Sequence, residues 1–242
     1  MTGRDRAIES PDRLRVLVAG GTGYIGRHVV RELLARGHAV VTLVRTRSGI
    51  DGATAPEAQQ RLLSGSEVRI AEVTDPESLL RDGFRGEDFD AVVSCLASRS
   101  GGIRDSWRVE YDANRHLLEA AKRAGANRFV LLSAICVQRP QLAFQRAKLA
   151  FESELCTSGI SWSIVRPTAF FKSLAGQIPR LKAGKPFLLF GPGDGPVCKP
   201  ISETDVAAYI ADCLQAPELQ RRVLPIGGPG PAVSARDRGE ML

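Results

Sequence analysis

The chain has 242 residues, 43% of them hydrophobic and 25% charged, a composition typical of a globular protein with one large α/β domain. The net charge of +6 suits an anionic ligand, but basic and acidic residues are interleaved, which argues against a nucleic-acid partner. No apolar run reaches the roughly 20 residues of a transmembrane helix, and no secretory signal is visible, which favours a cytoplasmic protein. The five cysteines form no Cys-x-x-Cys pair, so we predict no metal site.

The first strong pattern is a strand, a glycine-rich turn and a helix. The apolar run 14–19 indicates a buried parallel strand, and an amphipathic helix follows and ends near Gly37. Glycines at three-residue spacing between them would let a pyrophosphate approach the free N–H groups at the helix N-terminus. The alternative is a plain glycine-rich turn that binds nothing. The predicted dinucleotide contacts in this stretch are Gly20, Thr22, Gly23, Tyr24, Ile25 and Gly26.

The second strand, Ala39 to Val44, ends at Arg45, and Arg47 lies just beyond it. In this class of fold an acidic residue at that point binds the ribose of NAD, whereas an arginine accommodates the 2′-phosphate of NADP. Arg45 and Arg47 therefore predict NADPH as the cofactor. The alternative is a pair of solvated arginines on a surface turn.

Strands and helices continue to alternate up to residue 166. Further strands are predicted at 68–73, 90–95, 128–133 and 161–165. The helices between them are predicted around 56–63, from Thr74–Glu77 onward, at 107–124 and at 140–156. Six such alternations predict a doubly wound, Rossmann-type parallel sheet. The loop after the fourth strand, which contains Ala97 and Arg99, follows the carboxyl edge where ligands bind in such sheets.

From Pro167 onward the pattern becomes irregular and rich in proline. A short strand is predicted at Phe187 to Phe190, and a helix capped by Ser202 at 201–214. We therefore expect a flexible N-terminus over 1–13, an NADP-binding Rossmann domain over 14–166 and a small substrate lobe over 167–242, packed on the same domain.

The fifth strand ends at Ser133, and the next helix carries Phe144 and Lys148 four residues apart. This architecture resembles the short-chain dehydrogenase/reductase superfamily, in which a tyrosine and a lysine hold these two positions and face the nicotinamide. The resemblance implies catalytic roles for Ser133 and Lys148, with Lys148 binding the nicotinamide ribose. The alternatives are a strand-end serine bonded to backbone and a helix-surface lysine. Phe144 cannot donate a proton, so ordinary carbonyl–alcohol chemistry loses its acid.

Several long peptides are similar to those of the NADPH-dependent divinyl chlorophyllide 8-vinyl reductases, atypical members of that superfamily. They include 94–102, 131–140, 164–174 and 224–230. The resemblance implies reduction of the 8-vinyl group of a 3,8-divinyl chlorophyllide or protochlorophyllide to ethyl. Because a conjugated macrocycle spreads the negative charge that hydride addition leaves, a tyrosine acid is not required. The family continues beyond the last residues of this chain, so we expect a substrate lobe that is incomplete at its C-terminus.

A flat tetrapyrrole that carries a propionate would be contacted by aromatic and cationic side chains. The inner vinyl carbon also needs a proton after hydride transfer, and a cysteine thiol is a candidate source. The predicted substrate residues are Arg99, Trp107, Cys136, Phe144, Phe170 and Phe171, and the further cofactor residues are Ala97, Pro167 and Thr168. Each has a purely structural alternative. The aromatic residues could pack in the core, and Cys136 could be a small buried apolar side chain. Arg99 could be a solvated surface charge, and Pro167 could simply end the sixth strand.

Two other functions are compatible with this sequence. One is a non-catalytic NADP-binding regulator similar to NmrA, which the phenylalanine at the tyrosine position favours. The other is a different tyrosine-less reductase that acts on a conjugated alkene. A hydrophobic pigment would also bring the protein into transient contact with the surface of the photosynthetic membrane, without an integral segment.

Overall fold

The computed structural model describes residues 13–45, 58, 61–189, 191, 193, 195 and 197–240. Within them seven strands form one parallel sheet. They are β1 (Arg15–Ala19), β2 (Ala39–Val44), β3 (Glu67–Ile70), β4 (Ala91–Ser94), β5 (Arg128–Leu132), β6 (Ser161–Pro167) and β7 (Arg222–Ile226). The strand order is β3-β2-β1-β4-β5-β6-β7, so the chain reverses its direction of winding beside β1. The predicted doubly wound sheet is confirmed.

Helices cover both faces of this sheet. They are α1 (Gly26–Ala35), α2 (Pro76–Ser78), α3 (Ile103–Ser106), α4 (Ala113–Arg123), α5 (Ala143–Thr157), α6 (Phe171–Leu174), α7 (Ile178–Lys182), α8 (Glu203–Asp212) and α9 (Ala235–Glu240). Two wider π-helical segments, Leu79–Phe84 and Trp107–Asp112, continue α2 and α3. Short 3₁₀ turns occur at Ile135–Gln138, Ala175–Gln177 and Pro217–Leu219.

The alternation of side chains along β1 explains the two helical layers. Val16 and Val18 face a core shared with α1 and α8, whereas Leu17 and Ala19 face a second core shared with α4 and α5. All four side chains are fully buried. A strand that is apolar on both faces must be covered on both faces, which places its carboxyl end, and the turn after it, at an edge between the layers.

Local capping signals are confirmed. The Asp75 side chain accepts a hydrogen bond from the N–H of Glu77 at the start of α2, and the Ser202 side chain accepts one from Asp205 at the start of α8. The helix predicted from Trp107 begins earlier, at Ile103. Residues 187–189 form no strand, and Phe190 lies outside the described residues, as does half of the helix predicted at 56–63.

The strand count is corrected from six to seven by β7, which pairs in parallel with β6. The pattern of β7 is weak because Pro225 lacks an N–H and Val223 is 38% exposed. Proline is tolerated there because β7 is an edge strand. Since β7 and α8 belong to the sheet and its helical layer, residues beyond 166 complete the Rossmann architecture. The boundaries at 13/14 and 166/167 stay predictions, and residues 1–12 lie outside the described part.

A buried arginine ties β3 to the helical segment after it. Arg69 is 1% exposed and donates to Glu67 at 2.7 Å, to Glu87 at 2.6 Å and to the carbonyl oxygen of Gly83 at 2.7 Å. These arginine hydrogen bonds hold the pKa of both carboxyl groups, Glu67 and Glu87, below the usual range. A carboxyl group with a lowered folded-state pKa stabilises the fold at neutral pH.

We expect Arg69→Met to destabilise the fold by roughly 2–3 kcal/mol at pH 7, because buried carbonyl groups lose their donor. Stability from the two carboxylates is fully present above their unfolded pKa of about 4.3 and is lost as the pH falls through the lower folded values. The variant should therefore lose less stability between neutral pH and about pH 3 than the parent. Urea unfolding across this range measures both effects, with the exposed Arg104→Met as control. If the free energy of unfolding of parent and variant fell equally with pH in the acid range, Arg69 would not be what lowers the pKa of the two carboxyl groups.

Candidate functional site

A groove of about 570 Å³ opens at the carboxyl ends of β1, β2, β3 and β4. This is the edge at which ligands bind in open α/β sheets. The residues that line the groove are Gly20, Thr22, Gly23, Tyr24, Arg27, Leu43, Val44, Arg45, Ala71, Glu72, Val73, Thr74, Cys95, Leu96, Ala97, Arg99, Asp105, Arg108, Val109 and Lys172. Seven of the predicted site residues are among them: Gly20, Thr22, Gly23, Tyr24, Arg45, Ala97 and Arg99.

The glycine turn has no room for side chains. Gly20 has a φ of +80°, and a Cβ there would lie 2.5 Å from the carbonyl oxygen of Cys95. A Cβ on Gly26 would lie 2.2 Å from the carbonyl oxygen of Gly20, which accepts the N–H of Gly23 at 2.9 Å. Gly21 was not among the predicted contacts, although a Cβ there would lie 2.3 Å from the Thr42 side chain. The turn therefore needs glycine to pack against β2 as well as to approach a ligand.

The N-terminus of α1 fits an anion. Ile25 holds the N-cap position without a side-chain cap, and the first turn contains no acidic residue. Its terminal N–H groups and helix dipole favour a phosphate. Ile25 and Gly26 do not line the groove but lie under it, with the Ile25 side chain 6% exposed in the core. These two residues support the turn from below.

Tyr24 connects the glycine turn to the C-terminal part of the sheet. Its hydroxyl donates to Glu203 at 2.8 Å, at the start of α8, and burial together with this carboxylate raises the pKa of Tyr24. The Lys172 ammonium lies 4.6 Å from the centre of the tyrosine ring, and the Phe170 ring packs edge-on against it at 6.2 Å. Glu203 has no sequence signal of such a contact, because its only local role is in the first turn of a helix.

The described part of the groove carries more positive than negative side chains. Arg27, Arg45, Arg99, Arg108 and Lys172 line it, against the acids Glu72 and Asp105. Arg45 is exposed at the end of β2, while Arg47 lies outside the described residues. This charge balance suits an anionic ligand.

Asp105 holds the loop after β4 in place. Its carboxylate accepts the N–H groups of Arg99 and Ser100, each at 3.0 Å, and the Ser100 hydroxyl at 2.9 Å. The bonds from Ser100 are the main cause that lowers the pKa of Asp105. The loop that contains Ala97 and Arg99 is thus fixed at the groove edge by a residue that sequence analysis did not select.

Lys148 is 8% exposed and does not line the groove. Its ammonium lies 2.8 Å from Oε2 of Glu110, which is 2% exposed. The contact has the distance of an ion pair without the angles of a hydrogen bond, since Oε2 has no hydrogen-bond partner within the described residues. The alternative of a solvated helix-surface lysine is wrong. The ammonium also lies close enough to Cys95 to oppose, in part, the burial that raises the pKa of this thiol to about 12.

Ser133 belongs to a second buried charge cluster. Its hydroxyl donates to Glu152 on α5, and Arg166 on β6 pairs with the same carboxylate. The alternative of a serine side chain bonded to backbone is therefore wrong, because the partner of the Ser133 hydroxyl is a carboxylate. Glu152 is 3% exposed, and Arg166 neutralises a charge that would otherwise be costly to bury, while the Ser133 hydroxyl adds a hydrogen bond. Neither Glu110 nor Glu152 was among the predicted site residues.

The remaining predicted residues are dispersed around the site. The Thr168 hydroxyl bonds to the carbonyl of Lys199, and Pro167 ends β6. Trp107 is 40% and Phe171 55% exposed, so core packing is wrong for both. Cys136 is exposed rather than a buried filler. The Phe144 side chain is half-buried at the start of α5.

The pattern of glycines, the groove and its charges correspond to a known family. A family model described as NAD(P)H-binding matches residues 20–217. The chain belongs to this NAD(P)H-binding family. Membership shows a nicotinamide cofactor, and the uncapped helix N-terminus and the glycine cradle fit its pyrophosphate.

Two relatives of this chain carry the same name, divinyl chlorophyllide a 8-vinyl-reductase, chloroplastic. The protein from Zea mays is 53% identical over 94% of this chain and 58% of its own length. The one from Arabidopsis thaliana is 51% identical over 97% of this chain and 58% of its own length. A Synechocystis protein named photosystem II assembly factor Ycf39 is 26% identical over 89% of this chain and 63% of its own length. The chain thus spans under two thirds of each relative.

Solved structures agree with the fold of the NAD(P)H-binding family. The UDP-glucose 4-epimerase of Thermotoga maritima superposes with a TM-score of 0.78 at 18% identity, covering 94% of this chain and 81% of the other. The Thermus thermophilus UDP-glucose 4-epimerase in complex with NAD gives a TM-score of 0.72 at 23% identity, with 94% and 81% covered. Among the described residues, no helix combines the length and apolar character needed to cross a bilayer.

Proposed function

We propose that this chain uses NADPH to reduce the 8-vinyl group of a 3,8-divinyl chlorophyllide or protochlorophyllide to an ethyl group. The observation that supports the proposal most is the identity of about half of all residues, over nearly the whole chain, with relatives named for that reaction. The activity of those longer proteins is carried to this chain as a proposal, since the chain spans 58% of their length.

The cofactor would be held by the glycine turn, by Arg45 and Arg47 at its ribose phosphate and by Lys148 at its nicotinamide ribose. Ala97, Pro167 and Thr168 are proposed as further contacts. The nicotinamide, when bound, supplies a hydride. Lys148 would hold a positive charge beside the anion that develops on the substrate. In the structure Glu110 is the counter-charge of this ammonium.

The arrangement of proton donors favours an alkene over a carbonyl substrate. Phe144 has no proton to give, and the Ser133 hydroxyl already donates to Glu152. A conjugated vinyl group does not need an acid at an oxygen atom, because the macrocycle spreads the developing charge. Cys136 is exposed and remains the proposed proton source within the chain, with water as the other source. The proposed contacts of the macrocycle and its propionate are Arg99, Trp107, Phe144, Phe170 and Phe171.

Arg45→Asp is expected to reverse or abolish the preference for NADPH over NADH. Arg45 lines the groove at the end of β2, where a carboxylate would repel a 2′-phosphate and accept ribose hydroxyls instead. We expect NADPH to bind at least tenfold more weakly, on the order of one lost charge-assisted contact. Titration of both dinucleotides by fluorescence measures the ratio, with the exposed Arg61→Asp as control. An unaltered ratio would refute the cofactor assignment.

The function is tested by incubating the 242-residue chain with divinyl chlorophyllide a and NADPH and separating the pigments by chromatography. Conversion of the 8-vinyl to the 8-ethyl pigment is the expected result. A chain extended to the length of the plant relatives is assayed in parallel, so that a missing lobe is distinguished from a missing activity. Absence of product from both, with dinucleotide binding intact, would overturn the reductase proposal.

The second candidate is a nucleotide-binding protein without catalysis, supported by Phe144 and by the more distant relative named as an assembly factor. Dinucleotide binding without turnover of any conjugated alkene would favour it, whereas turnover of a different alkene would favour another tyrosine-less reductase. A cytoplasmic location and transient contact with a photosynthetic membrane surface stay predictions for this chain. The plant relatives are named as chloroplastic.

A further inference from the structure

Glu110 occupies an unusual place in the helical layer. It lies in the π-helical segment Trp107–Asp112, between α3 and α4. A widened turn inserts an extra residue, which leaves backbone carbonyl groups poorly paired and redirects side chains. The Asn114 side chain donates to the carbonyl oxygens of Glu110 at 3.0 Å and of Val109 at 3.3 Å, and accepts the hydroxyl of Ser94 at the end of β4. This bonding fixes the widened turn to the sheet.

The carboxylate of Glu110 has two different partners. Oε1 accepts the backbone N–H of Ser98 at 2.9 Å and the Ser98 hydroxyl at 3.1 Å. Oε2 lies 2.8 Å from the ammonium of Lys148 on α5. Ser98 lies between Ala97 and Arg99, which both line the dinucleotide groove. One buried carboxylate thus connects a groove loop with the lysine proposed to bind the cofactor.

We propose that Glu110 is a positioning residue of the dinucleotide site, which holds both the Lys148 ammonium and the 97–99 loop in their binding geometry. A carboxylate on a side chain that is 2% exposed is costly to bury, and the side chain of its lysine partner is 9% exposed. Without Glu110 the ammonium would lose its counter-charge and turn to water. The loop would lose two hydrogen bonds in the same step. The inference rests on the proposed cofactor role of Lys148, not on the identity of the pigment.

The test measures NADPH binding by fluorescence without pigment, so it is independent of the reductase assay. Glu110→Gln keeps the shape of the side chain and removes its charge. We expect the Kd for NADPH to rise about tenfold, as for one charge-assisted interaction. Glu119→Gln is the matched control, because Glu119 is an exposed acid on the following helix, paired with Lys122 at 3.3 Å. This control should bind within about twofold of the parent.

A double-mutant cycle separates positioning from general support of the fold. In a Lys148→Met background, Glu110→Gln should weaken binding clearly less than in the parent, because the lysine through which Glu110 acts is gone. A Kd within twofold of the parent for Glu110→Gln, tighter binding, or the same fold-change in both backgrounds would overturn the proposal. If Glu110→Gln does not fold, Glu110→Asp decides: it keeps the charge but withdraws it by one methylene, and unchanged NADPH binding would refute the role.

Discussion

Gly26→Ala is expected to abolish dinucleotide binding, with a loss of at least a hundredfold in affinity, on the order of 3 kcal/mol. The added Cβ would lie 2.2 Å from the carbonyl oxygen of Gly20, well inside contact distance. That oxygen accepts the Gly23 N–H, so it cannot withdraw without opening the turn. We also expect a destabilisation of roughly 1–3 kcal/mol from the forced backbone shift. Fluorescence titration with NADPH and urea unfolding measure the two effects.

Gly176→Ala is the matched control for this variant. Gly176 lies in an exposed 3₁₀ turn, and a Cβ there meets no atom within 4 Å. We expect its stability to change by less than about 0.5 kcal/mol and its NADPH affinity to stay that of the parent. Parent-like binding by Gly26→Ala would show that the turn rearranges, and that the pyrophosphate does not depend on the observed cradle.

Lys148→Ala is expected to reduce turnover of divinyl chlorophyllide at least about a hundredfold, the size of effect seen when a positioned charge-stabilising donor is removed. The substitution removes the only ammonium that lies against Glu110 in the described structure and leaves this carboxylate buried without a counter-charge. Both binding and stability should therefore fall together with turnover. Steady-state assay at saturating NADPH separates the loss in turnover from the loss in binding.

Lys122→Ala controls for the removal of a lysine as such, because Lys122 is 40% exposed and forms only a surface pair with Glu119. A melting curve of each variant shows how much folded protein contributes to the assay. Unchanged turnover in Lys148→Ala, with the control also unchanged, would remove Lys148 from the mechanism and leave it as part of a structural ion pair.

Most of the sheet could be predicted from the sequence because its strands are buried on both faces. The second strand has the predicted bounds, Ala39–Val44, and β1 and β5 each differ by one residue. Where one face is open to solvent or proline interrupts the ladder, prediction was less accurate: the third strand, predicted at 68–73, covers Glu67–Ile70, and the seventh was missed. β7, with Pro225 at the sheet edge, has neither a continuous apolar run nor a regular alternation.

The predicted site residues also fall into two groups, according to whether a local sequence pattern marks their place. The glycine turn and Arg45 could be placed at the groove because each follows a strand within a few residues, and their cofactor contacts stay proposals. The roles of Ser133, Lys148 and the aromatic residues stay proposals. Their immediate partners, Glu110 and Glu152, had no recognisable sequence signal, since each is a single acid in a helical stretch of mixed composition.

The sequence by itself determined most of the elements, the caps at Asp75 and Ser202, and the place of the glycine turn. These features depend on hydrogen bonds and periodicity within one or two turns of chain. Only the tertiary structure decided which charged and polar groups meet: Glu110 with Lys148, Glu152 with Arg166, and the Tyr24 hydroxyl with Glu203, 179 residues further on. Such pairs form because packed helices and strands exclude water between them, and a buried charge must then find its partner on whichever element the fold brings beside it.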